Sequence, residues 1–243
     1  MLELCENHTG KMEGLKSLST SVLLNPNCQK NRKILGSICS HCYAHNLAEM
    51  YSGLAERLVR NTEQLTKSIL PIEELPDLTG ETIFRLEAFG DLNNEIQLEN
   101  YINIAKKNPT VQVTLYTKMY GLVYKYFKEH DVPDNFVLIL SSLLINKKID
   151  LTPMKETGKF RIGQLKSFTV YSGEFIRKND IKINCGAKSC NKCRICYLRN
   201  EIEDVAEILK SDRDSTEMYL KLKDPKYVEE VADDIDAILK KWR

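Results

Sequence analysis

Seven of the chain's eight cysteines fall in two short stretches. "NPNCQKNRKILGSICSHCYAHN" carries Cys28, Cys39 and Cys42, "INCGAKSCNKCRICYLRN" carries Cys185, Cys190, Cys193 and Cys196, and only Cys5 stands alone. Any fold for this chain has to house two thiol-dense loops. Disulfides would suit a small secreted scaffold. Here the first twenty residues hold Glu3, Glu6, Lys11, Glu13 and Lys16 with no apolar run, so no signal peptide is read. With 243 residues and 42% apolar content, an ordinary core forms without staples. The thiols are expected to be reduced in a cytoplasm, where clustered cysteines bind metal or do chemistry. Asn7-His8-Thr9 then loses its meaning as a glycan site.

Cys190, Cys193 and Cys196 form C-x2-C-x2-C, the three-ligand run of bacterial ferredoxin sites, and Cys185 is the nearest candidate for a fourth ligand. Zinc is the competing metal, because Cys39-x2-Cys42 and Cys193-x2-Cys196 could build one four-cysteine site. Zinc ribbons space their pairs by about 15 to 20 residues, whereas these pairs lie roughly 150 residues apart. The third thiol of the x2-x2 run would also be left over. All seven thiols sharing one site is a further arrangement. Lys182, Lys188, Lys192, Arg194 and Arg199 make the second stretch basic, which would offset thiolate charge and raise a cluster's potential.

Along the chain, strand-like runs alternate with helix-like ones. "LKSLSTSVLL", "ETIFRLEAFGDL", "TVQVTLYTK", "NFVLILSSLLI" and "LKSFTVYSG" read as strands; "AHNLAEMYSGLAERLVRNTEQLTKSIL", "NEIQLENYINIAKKNP" and "MYGLVYKYFKEH" read as helices. Residues 201–212 and 224–243 also read as helical. Strands joined by helices of this length imply parallel pairing with right-handed crossovers. The working face of such sheets lies at the carboxyl ends of the strands. Polar groups are expected on that rim: Ser19 and Thr20, Glu87 to Asp91, Thr117 and Lys118, Ser141 and Ser142, Tyr171 and Ser172.

Three cysteines after the first long strand could hold a [4Fe-4S] cluster with one iron lacking a protein ligand. Radical S-adenosylmethionine (SAM) enzymes use that arrangement, with the cofactor supplying the hard chemistry. The cysteine stretches, the helix carrying Arg57, Arg60 and Asn61, "FRLEAFGDL" and "VQVTLYTK" are together similar in order and spacing to the phage "gene product 88" domain family, over about residues 12 to 200. That family is itself reminiscent of radical-SAM barrels. The resemblance implies a fold and clusters more than a reaction. The usual loop is C-x3-C-x2-C, whereas the first gap here is ten residues; a longer loop can gather the same thiols at small entropic cost. The Gly-Gly-Glu stretch that contacts the SAM amino group is missing, so Glu87 or Asp91 at the end of "EAFGD" is the candidate to neutralise that ammonium. Lys118 is the candidate to hold a carboxylate or phosphate. His41 and His45 are expected as polar loop and helix-face residues.

The expected architecture is an α/β incomplete parallel barrel of radical-SAM type over residues 1–200, with cysteine-rich cluster-binding loops and a C-terminal helical segment over residues 201–243 packed on it. One [4Fe-4S] cluster would sit near Cys28, Cys39 and Cys42 and another on Cys185, Cys190, Cys193 and Cys196, for electron relay or substrate anchoring. A flavodoxin or ferredoxin would be the electron donor, and host cytoplasm the location of a phage-encoded protein. The alternative is a non-catalytic iron–sulfur or zinc-stapled interaction protein. A net charge of +1 supplies no general field for nucleic acid, though the basic second stretch could touch it. No run is long enough to span a membrane as a helix.

Overall fold

The computed structural model describes residues 1–186 and 189–209. In chain order the elements are β1 (Cys5–Glu6), β2 (Lys16–Leu18), α1 (Pro26–Arg32), α2 (Tyr43–Met50), α3 (Ser52–Lys67), β3 (Ile83–Leu86) and α4 (Glu95–Lys107). There follow β4 (Gln112–Thr117), α5 (Tyr120–Glu129), β5 (Phe136–Ser141), α6 (Thr152–Lys155), β6 (Leu165–Tyr171), α7 (Gly173–Asn179), α8 (Cys190–Cys193) and β7 (Asp204–Ile208). The seven strands form one sheet in sequence order, with β1 antiparallel to β2 and every other pair parallel.

That order puts the intervening helices on one face, because each right-handed crossover packs back on the same side. Strand side chains alternate between faces. Leu18, Phe84, Leu86, Val113, Leu115, Phe136, Leu138 and Leu140 join Leu65, Leu98, Tyr101, Ile102, Val123 and Phe127 of α3, α4 and α5 in the main core. The alternate residues face the other way, and register sets Arg85 beside Thr114 and Ile139 between Tyr116 and Lys166. Leu15 and Tyr197 cover part of that second face, packing on Ile83. β5 is buried along its whole length, as a central parallel strand should be.

Three expectations need correction. The incomplete barrel of radical-SAM type is seen only as an open, mostly parallel α/β sheet. Residues 204–208 form a strand where a helix was expected. Ile202, Val205 and Ile208 have helical spacing, but the open edge of β6 offers a ladder, and Ser167 N–H donates to Glu203 O at 2.8 Å. Residues 210–243, the rest of the expected helical segment, lie outside the described residues. The long helix after the first cysteine stretch is two, parted by an extended Tyr51 (φ −121°, ψ 97°). Among the described residues no helix is long and apolar enough to cross a membrane.

Phe127 is fully buried and lies with ring centroids 5.1 Å from Phe160 and 6.3 Å from Phe136. Phe127→Ala is expected to lower stability in urea unfolding by about 3–5 kcal/mol. Ile162→Ala, at a side chain 81% exposed, should change it by less than about 0.5 kcal/mol.

Candidate metal centre

The first cysteine stretch begins where β2 ends. Asn25, fully buried, caps α1: its Oδ1 accepts from Asn27 N–H at 2.9 Å and from Cys28 N–H at 3.1 Å. Its Nδ2 donates to Asp91 O at 2.9 Å and Leu92 O at 3.1 Å, so Cys28 is tied to the loop after β3. The ten-residue gap is taken up by α1 and a hook docked on the exit of β5. There Ile38 N–H donates to Leu143 O at 2.8 Å, and Ser37 forms a bridge with Leu144. Ser37 also caps the 3₁₀ turn Ile38–His41 that carries Cys39. Cys42 is the N-cap of α2, and Cys28 and Cys42 pack on Val22, Ala44 and Ala48.

These contacts bring Cys28, Cys39 and Cys42 into one another's electrostatic field at the carboxyl end of the sheet. Burial pushes the Cys28 thiol far above its ordinary value and raises that of Cys39, and Asp91 and a neighbouring thiol add to each. Half-buried Lys118 faces all three sulfurs. Burial works against its charge, but Cys39, Asp91, Cys28 and Cys42 outweigh that and hold the ammonium protonated. Among the described residues Lys118 Nζ has no ion pair.

Glu87 and Asp91 build the rim beneath. Glu87 leaves β3 in the left-handed region (φ 58°), a strained position for a non-glycine. Its Oε1 accepts from Thr20 Oγ1 at 2.9 Å, Gln97 Nε2 at 2.7 Å and Tyr101 Oη at 2.5 Å, while Oε2 accepts from Thr20 N–H at 3.2 Å. Burial outweighs these bonds and pushes the carboxyl up to about 7. Asp91 is also raised by burial; its Oδ1 accepts from Thr117 Oγ1 and Leu92 N–H, and its Oδ2 from Lys118 N–H at 3.0 Å. Gly90 lets the loop that carries both carboxylates close on Thr20. A Cβ there would stand 2.5 Å from Glu87 Oε2 and from Thr20 O.

The second stretch lies against the sheet face opposite α3, α4 and α5. Cys185 N–H donates to Ala206 O at 3.0 Å beside β7, and Lys11 Nζ donates to Cys185 O at 3.1 Å and Glu207 Oε1 at 2.8 Å. Cys190 and Cys193 bound the single turn α8, which ends on left-handed Arg194 (φ 54°). Asn191 Nδ2 fixes that turn to Glu13 O at 2.8 Å. Cys190 and Cys196 pack on Tyr197, Leu15 and Ile83. Burial raises the thiols of Cys185, Cys190 and Cys196, the last to about 11. Each of these three senses at least one of the others, and Cys190 also senses Cys193. The cysteines therefore form two groups. Among the described residues no three Cys, His, Asp or Glu side chains converge closely enough to enclose a single metal ion.

Of the expected rim, Ser19, Thr20, Glu87, Asp91, Thr117 and Lys118 are linked at the strand ends, whereas Ser142 Oγ donates to Leu144 O and Ser172 caps α7. Glu87 has no ion pair with Arg85: Glu87 bonds Thr20, Gln97 and Tyr101, and Arg85 meets Met12 and Tyr116. His45 is buried and meets Arg32 at 2.8 Å. Arg85, Lys11, Lys166, Tyr116 and Tyr197 were not foreseen near the second thiol group. Alternation in "IFRLE" puts Arg85 on a face apart from Phe84 and Leu86, but nothing local says what that face meets. The profile of the family described as Gene product 88 matches residues 3–164, which takes in the first thiol group, the rim and Lys118 and stops short of the second group. No curated protein and no solved structure matches the chain.

Gly90→Ala should displace Glu87 or Thr20 and lower stability by about 1–3 kcal/mol in urea unfolding. Gly53→Ala, where a Cβ meets nothing within 4 Å, should raise it by about 0.5 kcal/mol.

Glu87 supplies a pH dependence. Its folded value, about 7, lies above the ordinary 4.5, so folding favours the protonated form. That stabilisation is present at low pH and is lost as pH rises through about 4.5 to 7, up to about 3 kcal/mol. The stability difference between the parent chain and Glu87→Gln, measured across that window, should show this slope. A flat difference would sink the assignment.

Proposed function

The chain belongs to the gene product 88 family, and from that premise we propose that it is an iron–sulfur protein of radical-SAM-like kind with two clusters. Cys28, Cys39 and Cys42 would hold the first, and Cys185, Cys190, Cys193 and Cys196 the second. The observation that carries this reading is Lys118, an ammonium among three thiols with no ion pair among the described residues. Beside neutral thiols that charge is costly. Beside thiolates bound to an anionic cluster it would be compensated, and iron binding would displace the protons of the raised thiols into solvent. A four-iron cluster also spreads its thiolates farther apart than one zinc ion does, which accords with donors that do not converge on a single ion.

Three thiols leave one iron of a four-iron cluster without a protein ligand, and such a cluster supplies single electrons to a molecule chelated there. The chain's own residues would bind and orient that molecule. Lys118 would take a carboxylate. Asp91 would face an ammonium: Oδ2 accepts one hydrogen bond, from Lys118 N–H, and retains accepting capacity. Glu87 takes four hydrogen bonds inside the wall, so its part is to hold the rim. The second cluster would relay electrons from a flavodoxin-like or ferredoxin-like donor, or anchor substrate.

Anaerobic purification with iron, sulfide and zinc analysis is the test. The expected result is about eight irons per chain with matching sulfide, as two four-iron clusters require. Cys39→Ala should remove about half of the iron; loss of all of it would mean one shared site. Adding SAM should perturb the first cluster's magnetic resonance, and reduction should release 5′-deoxyadenosine. Iron without a SAM response would end the enzyme reading, and stoichiometric zinc without iron would make the protein a metal-stapled interaction module.

A further inference from the structure

Arg85 stands on the sheet face opposite α3, α4 and α5 and is poorly supplied with acceptors. Its Nη1 donates to Met12 Sδ at 3.0 Å, its Cζ lies 4.1 Å from the Tyr116 ring centroid, and its Nε is buried without an acceptor. A guanidinium carries five N–H donors and usually meets a carboxylate in a fork. Among the described residues no carboxylate lies within ion-pair distance of Arg85. What surrounds it is sulfur and phenol. Met12, Cys190 and Cys196 pack together on Tyr197, Leu15 and Ile83. The Tyr197 hydroxyl is itself buried, bonded to no backbone group or carboxylate among the described residues, and its polar neighbours are Arg85 and Cys190. Lys166, fully buried on the same face, donates among the described residues only to Asn200 Oδ1 at 2.7 Å and Ile202 O at 2.8 Å. Positive charge and unused donors thus gather where Cys190 and Cys196 stand.

We propose that Arg85, aided by the Tyr197 hydroxyl, is the positioning residue that balances the charge of the second cluster and raises its reduction potential. This rests on the two-cluster reading above. Reduction adds an electron to an already anionic group, so a buried cation and N–H or O–H donors to its sulfurs favour the reduced state. Lys11, which reaches Cys185 Sγ at 3.7 Å, is already paired with Glu207 and has less net charge to offer. If Arg85 serves packing alone, its loss will weaken the fold and leave the potential where it was.

The test is redox titration of the full chain in a Cys39→Ala background, which leaves the second cluster to be read alone. Arg85→Met should keep iron and sulfide at the background level. At a fixed potential its ratio of reduced to oxidised cluster should fall about tenfold, a shift of about 59 mV for one electron. Arg85→Lys should restore part of the shift, because it keeps the charge and loses the fork. Tyr197→Phe, which deletes only the hydroxyl, should move the ratio the same way by a few-fold. Full iron with an unchanged potential in Arg85→Met overturns the proposal. If that variant fails to fold, an unchanged potential in Tyr197→Phe overturns it instead. Absence of iron from the parent chain defeats the two-cluster reading and this proposal together. Iron in the parent with an unmoved potential defeats this proposal only.

Discussion

The constraint on which the rest of the molecule depends is the sequential winding of its sheet. Six parallel strands in chain order, joined by right-handed crossovers, place the helices on one face. That face takes the apolar half of every strand. The other half, Arg85, Thr114, Tyr116, Ile139 and Lys166, is left to be covered by segments other than the long crossover helices. The cysteine-bearing segment around Tyr197 supplies part of that cover, and the strand ends supply the rim for the other thiols.

Charge and burial are then in tension at both thiol groups. Buried thiols are pushed toward neutrality, yet Lys118 stands beside one group and Arg85 and Lys166 beside the other, none of them salt-bridged among the described residues. A protein interior tolerates such cations when an anion completes them. Thiolates on a metal cluster are an anion of the right size and softness. One physical argument thus covers two sites that share no residues.

The rim shows how position is transmitted to the first group. Glu87 is held in a strained conformation by four hydrogen bonds, Gly90 lets Thr20 close over it, and Asp91 joins the exits of β3 and β4. Asn25 passes that order to Cys28 through two carbonyls and two amides. Side chains whose own chemistry looks catalytic are here used to fix where the sulfurs stand. That is why a carboxylate such as Glu87 draws notice in the sequence and yet ends inside the wall.

Much of this was legible in the residues alone. Strand and helix periods gave β3 to β6, α4 and α5, and the strand-end polar groups pointed to one rim, because these signals are local. The grouping of the thiols into two sets also followed from spacing. The sequence could not show that residues 204–208 would pair as a strand, since their apolar spacing suits a helix and only the vacant edge of β6 decides otherwise. Nor could it place Arg85 under Cys190 and Cys196, more than a hundred residues away. Periodicity tells which face a side chain takes, whereas its partners are set by strand order and register, which belong to the tertiary structure.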